Sequence, residues 1–182
     1  MNKTSKTNKL ILCAFFAALT AVCTMITIPL PFSPVPINLA ILSVLLAGSL
    51  LGAKAGTLSQ FVYVCLGAIG LPIFSNFSGG PSVLVGPTGG YIVGYIVTAF
   101  IVGTFSDKSA QKKLSMIWGF LIGLIACYIM GTLWFMFIMK TNLWPTLMMC
   151  VIPFIPGDGF KILLAFLLTK KLKSLSLFLQ YF

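Results

Sequence analysis

Long apolar runs, separated by short polar or proline-rich breaks, dominate the chain. Six stretches carry the pattern: Leu10–Ile28, Ile37–Ala53, Ala55–Leu71, Gly90–Ser106, Leu114–Met139 and Leu147–Thr169. A helix that crosses a bilayer needs roughly 20 apolar residues at 1.5 Å rise each, so each stretch is a candidate span. The second and third are short and meet at Gly52-Ala53-Lys54-Ala55-Gly56, which predicts a tight turn. Pro153, Pro156, Gly157 and Gly159 interrupt the last stretch. Its regular helix is expected to begin near Asp158, after a re-entrant or loop-like run.

The breaks alternate in character. Those assigned to the inner side are short and basic. The outer ones are longer and nearly uncharged. The first outer break, Pro29-Leu30-Pro31-Phe32-Ser33-Pro34-Val35-Pro36, holds too many prolines for a helix and predicts extended backbone. The second runs from Pro72 to Tyr91 and mixes Phe74 and Phe77 with Ser75, Asn76, Ser78 and Thr88 among glycines. That mixture suits a cover over a small amphiphilic ligand. Glycines at four-residue spacing (Gly48, Gly52, Gly56; Gly86, Gly90, Gly94; Gly119, Gly123) predict close helix–helix packing.

Composition confirms the solvent. Apolar residues make up 59% of the 182 positions and charged residues 8%, against about 25% charged in a soluble domain. The formal net charge of +10 would suggest nucleic acid in a soluble protein, but the placement of the charges decides otherwise. With six spans and a cytoplasmic N-terminus, Lys3, Lys6, Lys9, Lys54, Lys108, Lys112, Lys113, Lys170, Lys171 and Lys173 fall inside. Lys140 alone falls in an outer loop, and Lys161 lies within the last span. This is the positive-inside bias, and it predicts both termini in the cytoplasm of a multi-pass cell-membrane protein. The lysines before the first run resemble the start of a signal peptide. The run is too long for one and no small-residue cleavage site follows, so a retained helix is expected. One membrane domain, 1–182, fills the chain.

The inventory excludes much chemistry. His, Arg and Glu are absent, and the five cysteines sit singly in apolar runs. No zinc site of the usual kind, no His-based catalytic device and no cofactor is expected. A phosphate-binding glycine loop is lacking too, so any ATP-driven work must be done by other chains. An intramembrane enzyme would need more titratable groups than two aspartates supply.

Asp158 and Lys161 are the costly exception. A charge near the bilayer centre costs about 2.5–3.5 kcal/mol on insertion scales. Three residues apart on a helix, the two share a face and can pair. Together they offer an anionic acceptor beside a cationic donor, which a ligand with adjacent N–H and C=O groups, such as a cyclic urea, would satisfy. Pro156 and Gly157 place the pair at a helix N-terminus, whose partial positive charge favours an acceptor. Asn76 and Tyr91 are candidates for further polar contacts, with Phe74, Phe77 and Trp144 as apolar walls. A locked structural pair, or charges shallow enough to reach water, is the competing reading.

The loop blocks resemble one family. Phe32-Ser33-Pro34-Val35-Pro36-Ile37, Gly67-Ala68-Ile69-Gly70-Leu71-Pro72-Ile73-Phe74, Phe77-Ser78-Gly79-Gly80, Gly86-Pro87-Thr88-Gly89-Gly90-Tyr91 and Pro156-Gly157-Asp158 with Lys161 are similar to BioY, in the same order. These are the biotin-specific S components of energy-coupling factor (ECF) transporters. The resemblance implies a six-helix S-component fold that holds biotin near the outer face. It implies that Asn76, Tyr91, Asp158 and Lys161 are binding positions, with Asp158 and Lys161 on the ureido ring; Phe77 and Thr88 complete the expected biotin-contacting set. It also implies docking through small residues of the first helix, Ala14, Ala18 and Ala21, onto a transmembrane coupling protein that carries two ATPase subunits. Two positions depart from the family pattern. Asn38-Leu39-Ala40 stands where Thr-Leu-Gln is common, and Gly159 stands in place of a larger apolar residue. An S component for another small vitamin, or a stand-alone facilitator, is the alternative.

Overall fold

The computed structural model describes residues 3–108 and 113–174. Helix α1 (Lys3–Met25) leads into an antiparallel hairpin of β1 (Thr27–Leu30) and β2 (Ser33–Asn38). The helices α2 (Ala40–Ala68), α3 (Pro81–Val85), α4 (Gly89–Lys108), α5 (Lys113–Met139), α6 (Leu143–Cys150) and α7 (Ile155–Ser174) follow. Lys112, one of the lysines assigned to the inner side, lies outside the described residues. Among the described residues, four helices are long and apolar enough to cross a membrane: α1, α2, α4 and α5. Helices α6 and α7, bent by 52° at their junction, together make a fifth candidate.

The difference from six stretches lies in α2, which contains both the second and the third. Gly52 breaks the helix there with φ 78° and ψ −179°. A Cβ added at Gly56 would lie 2.9 Å from both the Ala47 carbonyl oxygen and the Gly48 Cα. In an unbroken helix, residues eight or nine apart are separated by roughly 12–13 Å along the axis. The chain therefore doubles back at Gly52, and α2 is two antiparallel arms. Thr20 of α1 contacts both arms: its Oγ1 accepts from Ser43 Oγ at 2.9 Å and from Gln60 Nε2 at 3.1 Å. The tight turn read from Gly52–Gly56 is present.

Three expected boundaries move. Pro29, Pro31, Pro34 and Pro36 remove helical hydrogen bonds, so residues 27–38 form the β-hairpin. Helix α1 accordingly stops at Met25, and α2 starts at Ala40 rather than Ile37. The run before Asp158 is not loop-like throughout, because residues 143–150 are helical. The break is confined to residues 151–154 around Pro153, and α7 begins at Ile155, with Pro156 in its first turn. Proline is tolerated there because first-turn N–H groups have no intrahelical partner.

The spaced glycines bring helices together. A Cβ at Gly48 would stand 2.8 Å from the Ala99 carbonyl oxygen of α4, and one at Gly123 would stand 2.9 Å from Val102 Cγ2. Helix α4 thus packs between α2 and α5. Its C-terminal end joins the α2 turn and α7: Ser106 Oγ donates to the Ser49 carbonyl at 2.7 Å, and Ser49 shares a 2.8 Å hydroxyl contact with Thr169.

Candidate ligand-binding site

One face of α7 is buried and carries Asp158, Lys161, Ala165 and Thr169 in helical register. The opposite face exposes Phe160, Leu163 and Leu167. This spacing turns both charges inward, and only 4% of Asp158 and 5% of Lys161 remain accessible. Lys161 Nζ donates to Asp158 Oδ1 at 2.7 Å. The charges do not point into bulk water. Asp158 stands in the first turn of α7, its N–H bonded to the Phe154 carbonyl at 2.8 Å, so the positive end of the helix dipole lies beside the carboxylate.

The pair opens onto a cavity of about 190 Å³. Thr24 of α1, Asn38 of β2 and Ile41 and Tyr63 of α2 line one side. Tyr91, Ile92 and Tyr95 of α4 and Leu124, Cys127 and Tyr128 of α5 line another. Asp158 and Lys161 of α7 close it together with Phe154 from the break before that helix, and Pro34–Pro36 with Phe74, Ser75, Asn76, Ser78 and Thr88 reach it from the β-hairpin and the segment between α2 and α4. The wall is aromatic as well as polar. Tyr63 meets the Phe74 ring edge-on at 5.5 Å and lies 6.5 Å from Tyr95. Such rings add apolar contact area with few rotatable bonds.

The β-hairpin and the loop after α2 are tied to each other. Asn38 Nδ2 donates to Ser75 Oγ at 2.9 Å, while its Oδ1 accepts from the Ala40 N–H and so holds the start of α2. Thr27 Oγ1 donates to Asn76 Oδ1 at 3.2 Å. A small closed turn presents these groups: Phe74 N–H bonds to the Ser78 carbonyl at 2.9 Å, with Asn76 at φ 58°. Asn tolerates that left-handed conformation better than most residues. Tyr91 lines the cavity, but its hydroxyl already donates to the Cys150 carbonyl at 3.3 Å.

Comparison with known proteins places this arrangement. A model of the BioY family matches residues 1–177. The chain belongs to the BioY family. It is 40% identical over 170 residues to the biotin transporter BioY of Thermotoga maritima, covering 92% of this chain and 96% of that protein. It is 36% identical over 169 residues to the probable biotin transporter BioY of Pyrococcus horikoshii, covering 93% and 98%. Among solved structures it is similar to the S-component for biotin from an ECF-type ABC transporter. That match has a TM-score of 0.89 and 32% identity over 96% of this chain and 95% of the other.

Within this BioY chain, Asp158, Lys161, Asn76, Tyr91 and Thr88 meet at one cavity, as does the expected wall residue Phe74. Phe77 and Trp144 do not. They are 66% and 65% exposed, and neither lines the cavity. At Phe77 the cause is local, since φ of 55° turns the residue out of the loop's path. Sequence reasoning missed Tyr128, Tyr95, Tyr63, Asn38 and Thr24. The signal for Tyr128 was a hydroxyl in the middle of an apolar span, where a polar atom needs a partner. Of the expected docking residues, Ala14 and Ala18 are exposed, together with Leu10, Ile11, Phe15 and Val22. Ala21 is buried beside Ala17 and Thr24, at the edge of that face, and is therefore not part of an open surface.

Proposed function

We propose that this chain is the biotin-capturing S component of an ATP-driven ECF importer. The observation that carries the reading is the buried Asp158–Lys161 pair facing a cavity, in a BioY family member. A buried ion pair seldom stabilises a fold relative to apolar residues of similar volume. Its retention is accounted for by a ligand that uses both charges. The ureido ring of biotin offers N–H groups beside a carbonyl. The carboxylate of Asp158 accepts from an N–H, and Lys161 donates to the oxygen. Each hydrogen bond to a charged group contributes about 1.5–3 kcal/mol. The Asn76 amide and Thr88 add neutral contacts, and Tyr91 and Phe74 supply apolar wall.

In this reading the whole chain, 1–182, is one substrate-binding membrane domain that carries biotin without chemical change. The two arms of α2 count as separate crossings, and α6 with α7 as one broken crossing, which makes six. Even numbering and the lysine distribution support a reading with both termini in the cytoplasm of a cell-membrane protein. The cavity then opens outward beneath the tied outer loops. Delivery inward requires a transmembrane coupling protein with two ATPase subunits, docked on the open face of α1 at Ala14 and Ala18.

The test is calorimetric titration of purified protein with biotin, riboflavin and thiamine. Tight binding of biotin alone is expected. Preference for either other vitamin, or no binding of biotin, overturns the reading. Uptake by vesicles that contain this chain alone would instead favour a stand-alone facilitator.

A further inference from the structure

We infer that Tyr128 is a positioning residue for the ligand and acts through Asp158; this rests on the biotin-binding reading. The two oxygens of Asp158 have different partners. Oδ1 takes Lys161 Nζ at 2.7 Å from the same helix, whereas Oδ2 takes the Tyr128 hydroxyl at 2.5 Å from α5. The second distance falls in the range of charge-assisted O–H···O⁻ bonds. Tyr128 is half-buried and lines the same cavity as both charges.

A carboxylate held at one oxygen can still swing, because the Asp χ2 torsion is broad. Lys161 alone is such a holder, and it is four methylenes long. The Tyr128 bond comes from a separate helix and anchors the other oxygen, so the plane of the carboxylate is set before a ligand arrives. Each oxygen keeps a further lone pair, and the Lys161 ammonium keeps two N–H groups beyond the one given to Asp158. Fixed this way, the pair presents an acceptor and a donor side by side, matching the edge of a planar ring where N–H adjoins C=O. Ordering the acceptor in advance reduces the entropy lost on binding. The Tyr128 ring is also apolar surface beside that edge, but only its hydroxyl does the positioning.

The experiment compares Tyr128→Phe with the unmodified protein. The substitution removes one oxygen and keeps the ring, so the ligand-free melting temperature, which checks folding, should stay within a few degrees. Titration with biotin is expected to show affinity lower by about 3–10-fold, the scale of ordering one side chain on binding. Infrared difference spectra without ligand, with Asp158→Asn used to assign the Asp158 carboxylate bands, are expected to show those bands displaced in Tyr128→Phe. A role in packing alone would not move them. Unmoved bands, or an affinity within about twofold of the unmodified chain, overturn this inference and leave the biotin reading standing. Failure of the unmodified chain to bind biotin overturns both.

Discussion

Asp107 reaches from the C-terminal end of α4 to the turn within α2, where its Oδ2 accepts the backbone N–H of Ala53 at 3.0 Å. The contact is an N-terminal cap supplied by another helix. The chain has reversed at Gly52, so the first N–H groups of the second arm have no helical partner behind them. Asp107 supplies one acceptor and a negative charge at the positive end of that arm.

Asp107→Ala should therefore destabilise the protein by about 1 kcal/mol, the usual cost of losing a cap. The residue stands at the opposite end of α4 from Tyr91, and Asp107 is not among the cavity-lining residues. Biotin affinity should consequently stay within about twofold while the melting temperature falls, as read by thermal unfolding and titration on one preparation. A large affinity loss at unchanged stability would contradict the structural role.

Asp158→Asn should weaken biotin binding by about 10–1,000-fold, since it removes the charge from one or two hydrogen bonds worth about 1.5–3 kcal/mol each. Lys161→Met should do comparable damage to binding but more to stability. It leaves a buried carboxylate with Tyr128 as its sole remaining hydrogen-bond partner among the described residues, and breaking a buried pair by removing one member costs about 3–5 kcal/mol. Titration and melting of the two variants separate these effects. Unchanged affinity in Asp158→Asn would remove the site.

How much of this was legible beforehand follows from what each residue type announces. Asp158 and Lys161 were readable because a charge inside an apolar run is costly whatever surrounds it. The doubling back at Gly52 was readable from two short runs meeting at glycines. Tyr128 was not, because a tyrosine in an apolar helix looks like packing until its hydroxyl partner, thirty residues away, is known. Asn38 stood out as a departure from the family pattern, but not as a site residue, for a different reason. Its place was assigned to a helix start, whereas four prolines carry the preceding strand through it and leave its amide to join the two loops. Phe77 and Trp144 show the reverse failure, since aromatic character says nothing about direction.

Two glycine substitutions should move stability in opposite directions. A Cβ at Gly131 would run into the Tyr91 ring, which lines the cavity and is itself buried. Gly131→Ala should cost about 1–3 kcal/mol, typical of overpacking, and should weaken biotin binding as Tyr91 shifts. At Gly159, in contrast, an added Cβ meets nothing within 4 Å. Gly159→Ala should stabilise α7 by up to about 1 kcal/mol, since glycine is a poor helix former. Melting temperatures of both variants check the pair.

On the proposed docking reading, helix α1 separates folding from partner binding within a single turn. Ala18 is exposed on the face that also carries Ile11, Phe15 and Val22, with Ala14 beside it, while Ala21 is buried against the rest of the protein. Leucine at Ala14 or Ala18 adds bulk to a surface that the fold does not use, so melting temperature and biotin affinity should both hold. If that face seats the coupling protein, small residues there allow helix backbones to approach closely, and the added side chains should hold the partner away. Uptake by cells that also supply the energising module should then fall several-fold, and the variants should no longer co-purify with it. Leucine at Ala21 should behave differently, destabilising the isolated protein by about 1–3 kcal/mol through overpacking. Undiminished uptake by an Ala14→Leu, Ala18→Leu double variant would move the docking surface elsewhere on the protein.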